Sequence, residues 1–192
     1  MYLKKGGLMY KEEIPKPLSI NENHHYNIHK KFAENLNKLI KNQNYKLEEI
    51  PENIDKFPLE KRGEILYNAG GLLNHNLYWK SIKEKVKPNK ALLNQINKQY
   101  QSYENFIKLF KEKAKTLVGS GYTFLVENKE KTLSIINMPN EETPYSYNLT
   151  PLFALDLWEH AYYPKYLNNK NEYIEDILEK ADFSYANEKY NT

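Results

Sequence analysis

Cysteine is absent from all 192 residues, which excludes disulfide frameworks, thiolate zinc sites, iron–sulfur clusters and cysteine nucleophiles. Arginine is nearly absent. Arg62 is the only one, so a bidentate fork onto guanine or phosphate is available at one place at most. Excess charge of one sign is missing as well: 28 basic against 25 acidic residues leave +3, too little to call for a polyanionic partner. The lysines interleave with acids as on solvated helix faces, and nucleic acid is disfavoured. No apolar stretch approaches the roughly 20 residues of a bilayer span. The opening stretch carries Lys4 and Lys5 but no apolar core of a leader peptide behind them. These absences read as a soluble, unexported, cytoplasmic protein with no membrane partner. What is present, 40% hydrophobic and 14% aromatic residues, is enough for one compact unit or two small lobes sharing a core.

The periodicity alternates between helix and strand. Residues 1–18 read as irregular, broken by Gly6, Gly7, Pro15 and Pro17. Ser19 and Glu22 form a capping-box pair ahead of a helix with Ile20, Ile28, Phe32, Leu36, Leu39 and Ile40 as its apolar positions. After a polar connector bracketed by Pro51 and Pro58, residues 61–83 give a second helical pattern through Ile65, Leu72, Leu73, Trp79 and Ile82. Two long helices joined by a loop predict an antiparallel α-hairpin. A third helix runs from about Leu92 to Val118. Two strand-like runs follow, Tyr122 to Val126 and Thr132 to Ile136, then a third from Thr150 to Leu157 and a last helix over 171–180. The order is an all-α lobe, residues 1–86, and an α+β lobe, residues 87–192.

Of the five histidines, three fall on apolar faces. His24 continues the spacing of Ile20, Ile28 and Phe32, whereas His25 and His29 lie about 100° around the axis among lysines and asparagines. His75 shares a face with Leu72, Trp79 and Ile82. A single inward histidine is more often a hydrogen-bonded core residue than a ligand, but two on neighbouring helices weaken that reading. Asp156 closes the apolar run from Pro151 to Leu155, where an ionised carboxylate costs several kcal/mol unless a cation or several donors meet it. His160, four residues on, returns to the same point if the strand turns there. Three imidazoles and one carboxylate suit iron or manganese, with zinc possible on ligand type. A salt-bridged aspartate beside an unconnected core histidine is the plain alternative. Gly70-Gly71 inside a helical pattern costs roughly 1 kcal/mol per residue relative to alanine, so something must approach that backbone closely, either a packed helix or the wall of a metal pocket.

Three ordered segments carry a family resemblance. Asn68-Ala69-Gly70-Gly71-Leu72-Leu73-Asn74-His75-Asn76-Leu77-Tyr78-Trp79 resembles the second-ligand helix of the iron/manganese superoxide dismutases. Gly119-Ser120-Gly121-Tyr122-Thr123-Phe124-Leu125 is similar to that family's glycine–serine–glycine aromatic segment. Asp156-Leu157-Trp158-Glu159-His160-Ala161-Tyr162-Tyr163 resembles its most specific signature. The resemblance spans Ser19 to Tyr190 and implies an N-terminal α-hairpin, a C-terminal α/β lobe with a three-stranded antiparallel sheet, and a metal site between the lobes. It implies one iron or manganese ion per subunit held by His24, His75, Asp156 and His160, with Trp79 and Trp158 packed around them. The implied partner is a second copy, in a homodimer where Glu159 reaches the partner's ligand histidine. The implied reaction is disproportionation of superoxide to oxygen and hydrogen peroxide.

The same resemblance marks departures. The family's histidine and tyrosine four and eight residues after the first ligand are here Ile28 and Phe32, so Tyr163 would lack its cross-dimer partner. Tyr122 stands for a tryptophan. Glu141, on what reads otherwise as a surface turn, stands at the place of a glutamine beside the metal-bound solvent, and Gly71 where iron-type enzymes carry theirs. Lys170 stands for an arginine at the substrate funnel, keeping charge but losing the fork. Gly70-Gly71 and the Glu141 location point to manganese, Tyr78 before Trp79 to iron. The expected function is therefore superoxide dismutase; the alternative is a dimeric metal-binding protein of the same fold with weak or no dismutase activity.

Overall fold

A computed structural model describes residues 2–4, 7–15, 22–40 and 45–190. Ser19 and Ile20, expected to open the first helix, lie outside these residues. Strands β1 (Tyr2–Lys4) and β2 (Gly7–Met9) pair antiparallel in a stretch read as irregular from its glycines. A π-helical turn (His25–His29) leads into α1 (Lys30–Leu39), which buries Phe32, Ala33 and Leu36. The connector holds the short α2 (Glu49–Glu52) before Pro58 admits α3 (Leu59–Ser81). Packing of α1 on α3 around Leu36, Ile50, Ile65 and Leu72 makes the expected hairpin lobe.

The expected third helix is two, α4 (Lys90–Tyr100) and α5 (Tyr103–Lys115). Their apolar positions share a helical period across the junction, which hides the break. Gln101 turns to φ 71°, and the Ser102 hydroxyl caps α5 by accepting from Asn105 N–H at 3.0 Å. Strands β3 (Gly121–Glu127), β4 (Leu133–Pro139) and β5 (Thr150–Asp156) form an antiparallel sheet in the order β4-β3-β5. β3 is central and buried along its whole length, and its register sets Tyr122 opposite Asp156. The helix expected over 171–180 is present as α7 (Lys170–Glu179), flanked by α6 (Glu159–Tyr166) and α8 (Ser184–Tyr190), which the periodicity did not announce.

A third apolar cluster joins the lobes. Leu77, Tyr78 and Trp79 of α3 pack on Tyr122, Phe124, Met138 and Ala154 of the sheet. Ser81 locks the contact: its hydroxyl donates to Leu77 O at 2.9 Å and accepts from Ala154 N–H at 3.0 Å. The C-terminal half of α3 is thereby fixed against the end of β5. Among the described residues no helix is long and apolar enough to cross a membrane.

Candidate metal centre

Four elements each deliver one side chain to the seam between the lobes. His24 comes from the turn before the π-helical segment, His75 from α3, Asp156 from the last position of β5 and His160 from the first turn of α6. Ligand atoms of these four all lie within 4.8 Å of one another. Asp156 Oδ2 stands 3.3 Å from His24 Nε2, 3.5 Å from His160 Nε2 and 3.8 Å from His75 Nε2. None of those four atoms has an aligned hydrogen-bond partner, although all are buried.

Surrounding bonds aim these atoms inward. His75 Nδ1–H donates to Gly71 O at 2.7 Å, leaving the Nε2 lone pair directed at the cluster. Asp156 Oδ1 accepts from Trp158 N–H at 2.9 Å, leaving Oδ2 for the cluster. The Asp156 backbone is held in turn by the Tyr173 hydroxyl, which donates to its carbonyl at 2.7 Å and lies 3.2 Å from the Tyr78 hydroxyl. Sequence reasoning missed Tyr173; an apolar-looking tyrosine in a helix 17 residues further on carries no local signal of that contact. Trp79 packs edge-on to His24 at 4.8 Å and Trp158 stacks on His160 at 5.6 Å.

Burial decides the protonation of His75 and His24. It pushes His75 down to about 3 and lowers His24, with Asp156 opposing it only in part, so both rings stay neutral. Burial alone would raise Asp156, but the His160 and His24 imidazoles beside it outweigh that and hold it below the usual carboxylate range. An unpartnered buried polar atom costs about 1–3 kcal/mol, so four converging ones are tolerable only with a cation among them. Two neutral rings, a third imidazole and one anionic oxygen are a donor set that fits iron or manganese.

The expectation for His25 and His29 is overturned. Both are buried, at 3% and 0% exposure, instead of lying among solvated lysines. Lys30 N–H bonds His25 O, an i to i+5 link that widens the turn and rotates every later residue away from the 3.6-residue register. The segment 10–13 also lies across this face: Glu13 N–H reaches Asn76 Oδ1 at 2.6 Å and Tyr10 N–H reaches Asn37 Oδ1 at 2.9 Å. His29 stacks on His75 at 5.1 Å, accepts from Trp79 Nε1–H at 2.9 Å and stands 3.0 Å from Asn76 Oδ1. It packs behind a cluster histidine without belonging to the cluster.

Both readings of Gly70-Gly71 hold at once. A Cβ at Gly70 would collide with the backbone carbonyl of Glu141, and one at Gly71 would lie 2.6 Å from the Phe32 ring. The loop carrying Glu141 is tied down by Asn74, whose amide donates to Glu142 O at 3.0 Å. Glu141 is therefore no surface-turn residue: it is 4% exposed, beside the Tyr122 hydroxyl, and burial followed by the Asp156 charge raises its pKa well above the usual range. Tyr122 also reaches the cluster, its hydroxyl 3.1 Å from His75 Nδ1. Phe32 lies 5.4 Å from His75, ring to ring. Elsewhere, Lys170 donates from Nζ to Leu117 O at 3.3 Å, and Glu159 and Tyr163 are exposed on α6.

A helical hairpin and an α/β lobe closing on three histidines and one aspartate define a two-lobed protein with a cluster that could hold one metal ion. Residues 16–83 match the iron/manganese superoxide dismutases, alpha-hairpin domain, and residues 88–189 match the iron/manganese superoxide dismutases, C-terminal domain. The chain belongs to the iron/manganese superoxide dismutase family.

Proposed function

We propose that the protein disproportionates superoxide to oxygen and hydrogen peroxide at one iron or manganese ion per subunit, held by His24, His75, Asp156 and His160. The observation that carries this is the convergence of four buried, unpartnered ligand atoms. When bound, the ion supplies a one-electron couple that accepts an electron from one superoxide and returns it to a second. The chain's own residues set the conditions for that exchange. Gly71 O fixes the His75 tautomer, the Trp158 amide orients Asp156, and Trp79 and Trp158 close the walls against water. Glu141, holding its proton in its buried site, can donate a hydrogen bond as an amide would. Two chains would associate through α6, with Glu159 beside the partner's ligand histidine and Tyr163 near it; Lys170 would attract the anionic substrate.

A second reading, a dimeric metal-binding protein with weak or no dismutation, is favoured by Ile28 and Phe32, which bring no hydroxyl or imidazole to the approach. One experiment separates the two and identifies the ion: elemental analysis of protein from its own host, then superoxide decay per bound metal after reconstitution with iron or with manganese. Decay far above free-metal controls with either ion supports the enzyme. Full occupancy without catalysed decay supports the metal-binding protein.

A further inference from the structure

A line of phenols leads from the metal cluster to the surface between α6 and α7. Its inner member, Tyr173, is buried, and its hydroxyl donates to the carbonyl of Asp156 at 2.7 Å and lies 3.2 Å from the Tyr78 hydroxyl. Tyr78 in turn stacks on His24, ring to ring at 6.0 Å. Two cluster residues, one from each lobe, therefore touch the same pair of buried phenols. Outward, the Tyr173 ring meets the Tyr166 ring edge-on at 5.5 Å, an ordinary aromatic contact. Tyr166 is half-buried and ends the line beside Asp176.

The three phenols differ in where their protons can go. Tyr173 donates to a carbonyl and Tyr78 to Tyr173, and neither acceptor is a base. At Tyr166 the Lys165 ammonium donates to the hydroxyl oxygen at 2.9 Å, so the hydroxyl's own proton points at Asp176 Oδ2. That carboxylate is ionised, held low first by Lys180 and then by Tyr166 itself. A phenol that loses an electron becomes a strong acid and must give up its proton. Along this line only Tyr166 touches a base able to receive it.

We propose that Tyr166 is an electron donor to the metal cluster, supplying through Tyr173 the second electron taken when hydrogen peroxide meets the divalent ion, and that Asp176 receives its proton. Peroxide accepts two electrons and two protons as its O–O bond breaks, giving two waters. One electron comes from the ion, which becomes trivalent, and the other from Tyr166; the two protons come from solvent. The Tyr166 O–H bond breaks and an O–H bond forms at Asp176, leaving a neutral tyrosyl radical at the protein surface. The oxidising equivalent is thereby led away from Trp79 and Trp158, which pack on His24 and His160. The inference rests on the metal-binding part of the function proposed above and does not require fast dismutation.

The test uses iron-loaded protein, reduced, freed of reductant and mixed with equimolar hydrogen peroxide. Electron paramagnetic resonance of freeze-quenched samples detects the radical, and a nitroso spin trap followed by peptide mass spectrometry locates it. Wild type should show a tyrosyl signal with the adduct on Tyr166, and metal-free protein should show neither. Loss of the proton acceptor in Asp176→Asn should lower the Tyr166 adduct about tenfold or more at unchanged iron content. In Tyr166→Phe the adduct should vanish while oxidation of Trp79 and Trp158 rises. The proposal is overturned by wild type without the Tyr166 adduct, by the same adduct yield in metal-free protein, or by a wild-type yield in Asp176→Asn. Should Tyr166→Phe not fold, Asp176→Asn, which changes a partly solvated group, decides. Superoxide decay is measured on the same wild-type sample: the adduct without decay would overturn the dismutase reading and leave the donor line standing, and decay without the adduct would overturn the donor line alone.

Discussion

At the scale of single residues, Gly71 and Phe32 act as one unit. Replacing a helix-interior glycine with alanine ordinarily stabilises by about 1 kcal/mol. Here the added Cβ would stand 2.6 to 2.7 Å from three atoms of a buried ring, and overpacking of that kind costs about 1–3 kcal/mol. Gly71→Ala is expected to destabilise the protein by up to about 2 kcal/mol net in urea unfolding, with most of the loss absent when Phe32→Leu is also present. Additive effects in the double variant would show that the ring does not depend on the missing side chain. The residues whose roles were legible in the sequence are those with a local anomaly: a carboxylate ending an apolar run, histidines on apolar faces, paired glycines in a helix. His29 and Glu141 had no such mark. The first is brought inward by an i to i+5 bond that no residue type announces, and the second by a loop folded back over Gly70.

At the scale of elements, the pairs that sequence periodicity missed are joined by side chains rather than by apolar stripes. α6 buries no residue fully, so its period is faint. It is held to α7 by Tyr166 and Lys165, whose hydroxyl and ammonium both reach Asp176. Lys180 completes the group at 2.6 Å, and its ammonium first, then the Tyr166 hydroxyl, lower Asp176 from 3.8 to about 2. A carboxylate whose pKa is depressed on folding adds stability that is fully present above 3.8 and is lost as pH falls toward 2. Asp176→Asn is accordingly expected to flatten the acid limb of the stability curve in that window. Its cost at neutral pH should stay below about 1 kcal/mol because the group is partly solvated. Urea midpoints of wild type and variant, measured from pH 5 down to about 2, check this; parallel curves would remove Asp176 from the account. The α4–α5 break was hidden for a related reason: a Ser cap leaves the apolar period on both sides unchanged.

At the scale of the whole molecule, the cluster draws His24 and His75 from one lobe and Asp156 and His160 from the other, so a bound ion would bridge them. That two-lobed plan was legible because the first lobe keeps a helical period and the second mixes helical periods with short apolar strand runs. The exposed face of α6 is less so. Glu159, Tyr163 and Leu167 follow one another at four-residue spacing and are all exposed; Tyr163 and Leu167 are more than half uncovered. His160 begins the same helix, so an interface built there would touch the cluster directly. A carboxylate from a partner chain that accepts from His160 Nδ1–H would fix its tautomer and raise its basicity, and such contacts carry about 10–100-fold in metal affinity. Glu159→Ala is therefore expected to weaken self-association and metal retention together, whereas Glu159→Gln should lose less of both because an amide oxygen still accepts. Sedimentation equilibrium and metal release to a chelator measure the two effects. Wild-type protein that is monomeric with full metal occupancy would show that the cluster is complete within one chain and that α6 presents this face to something other than its own copy.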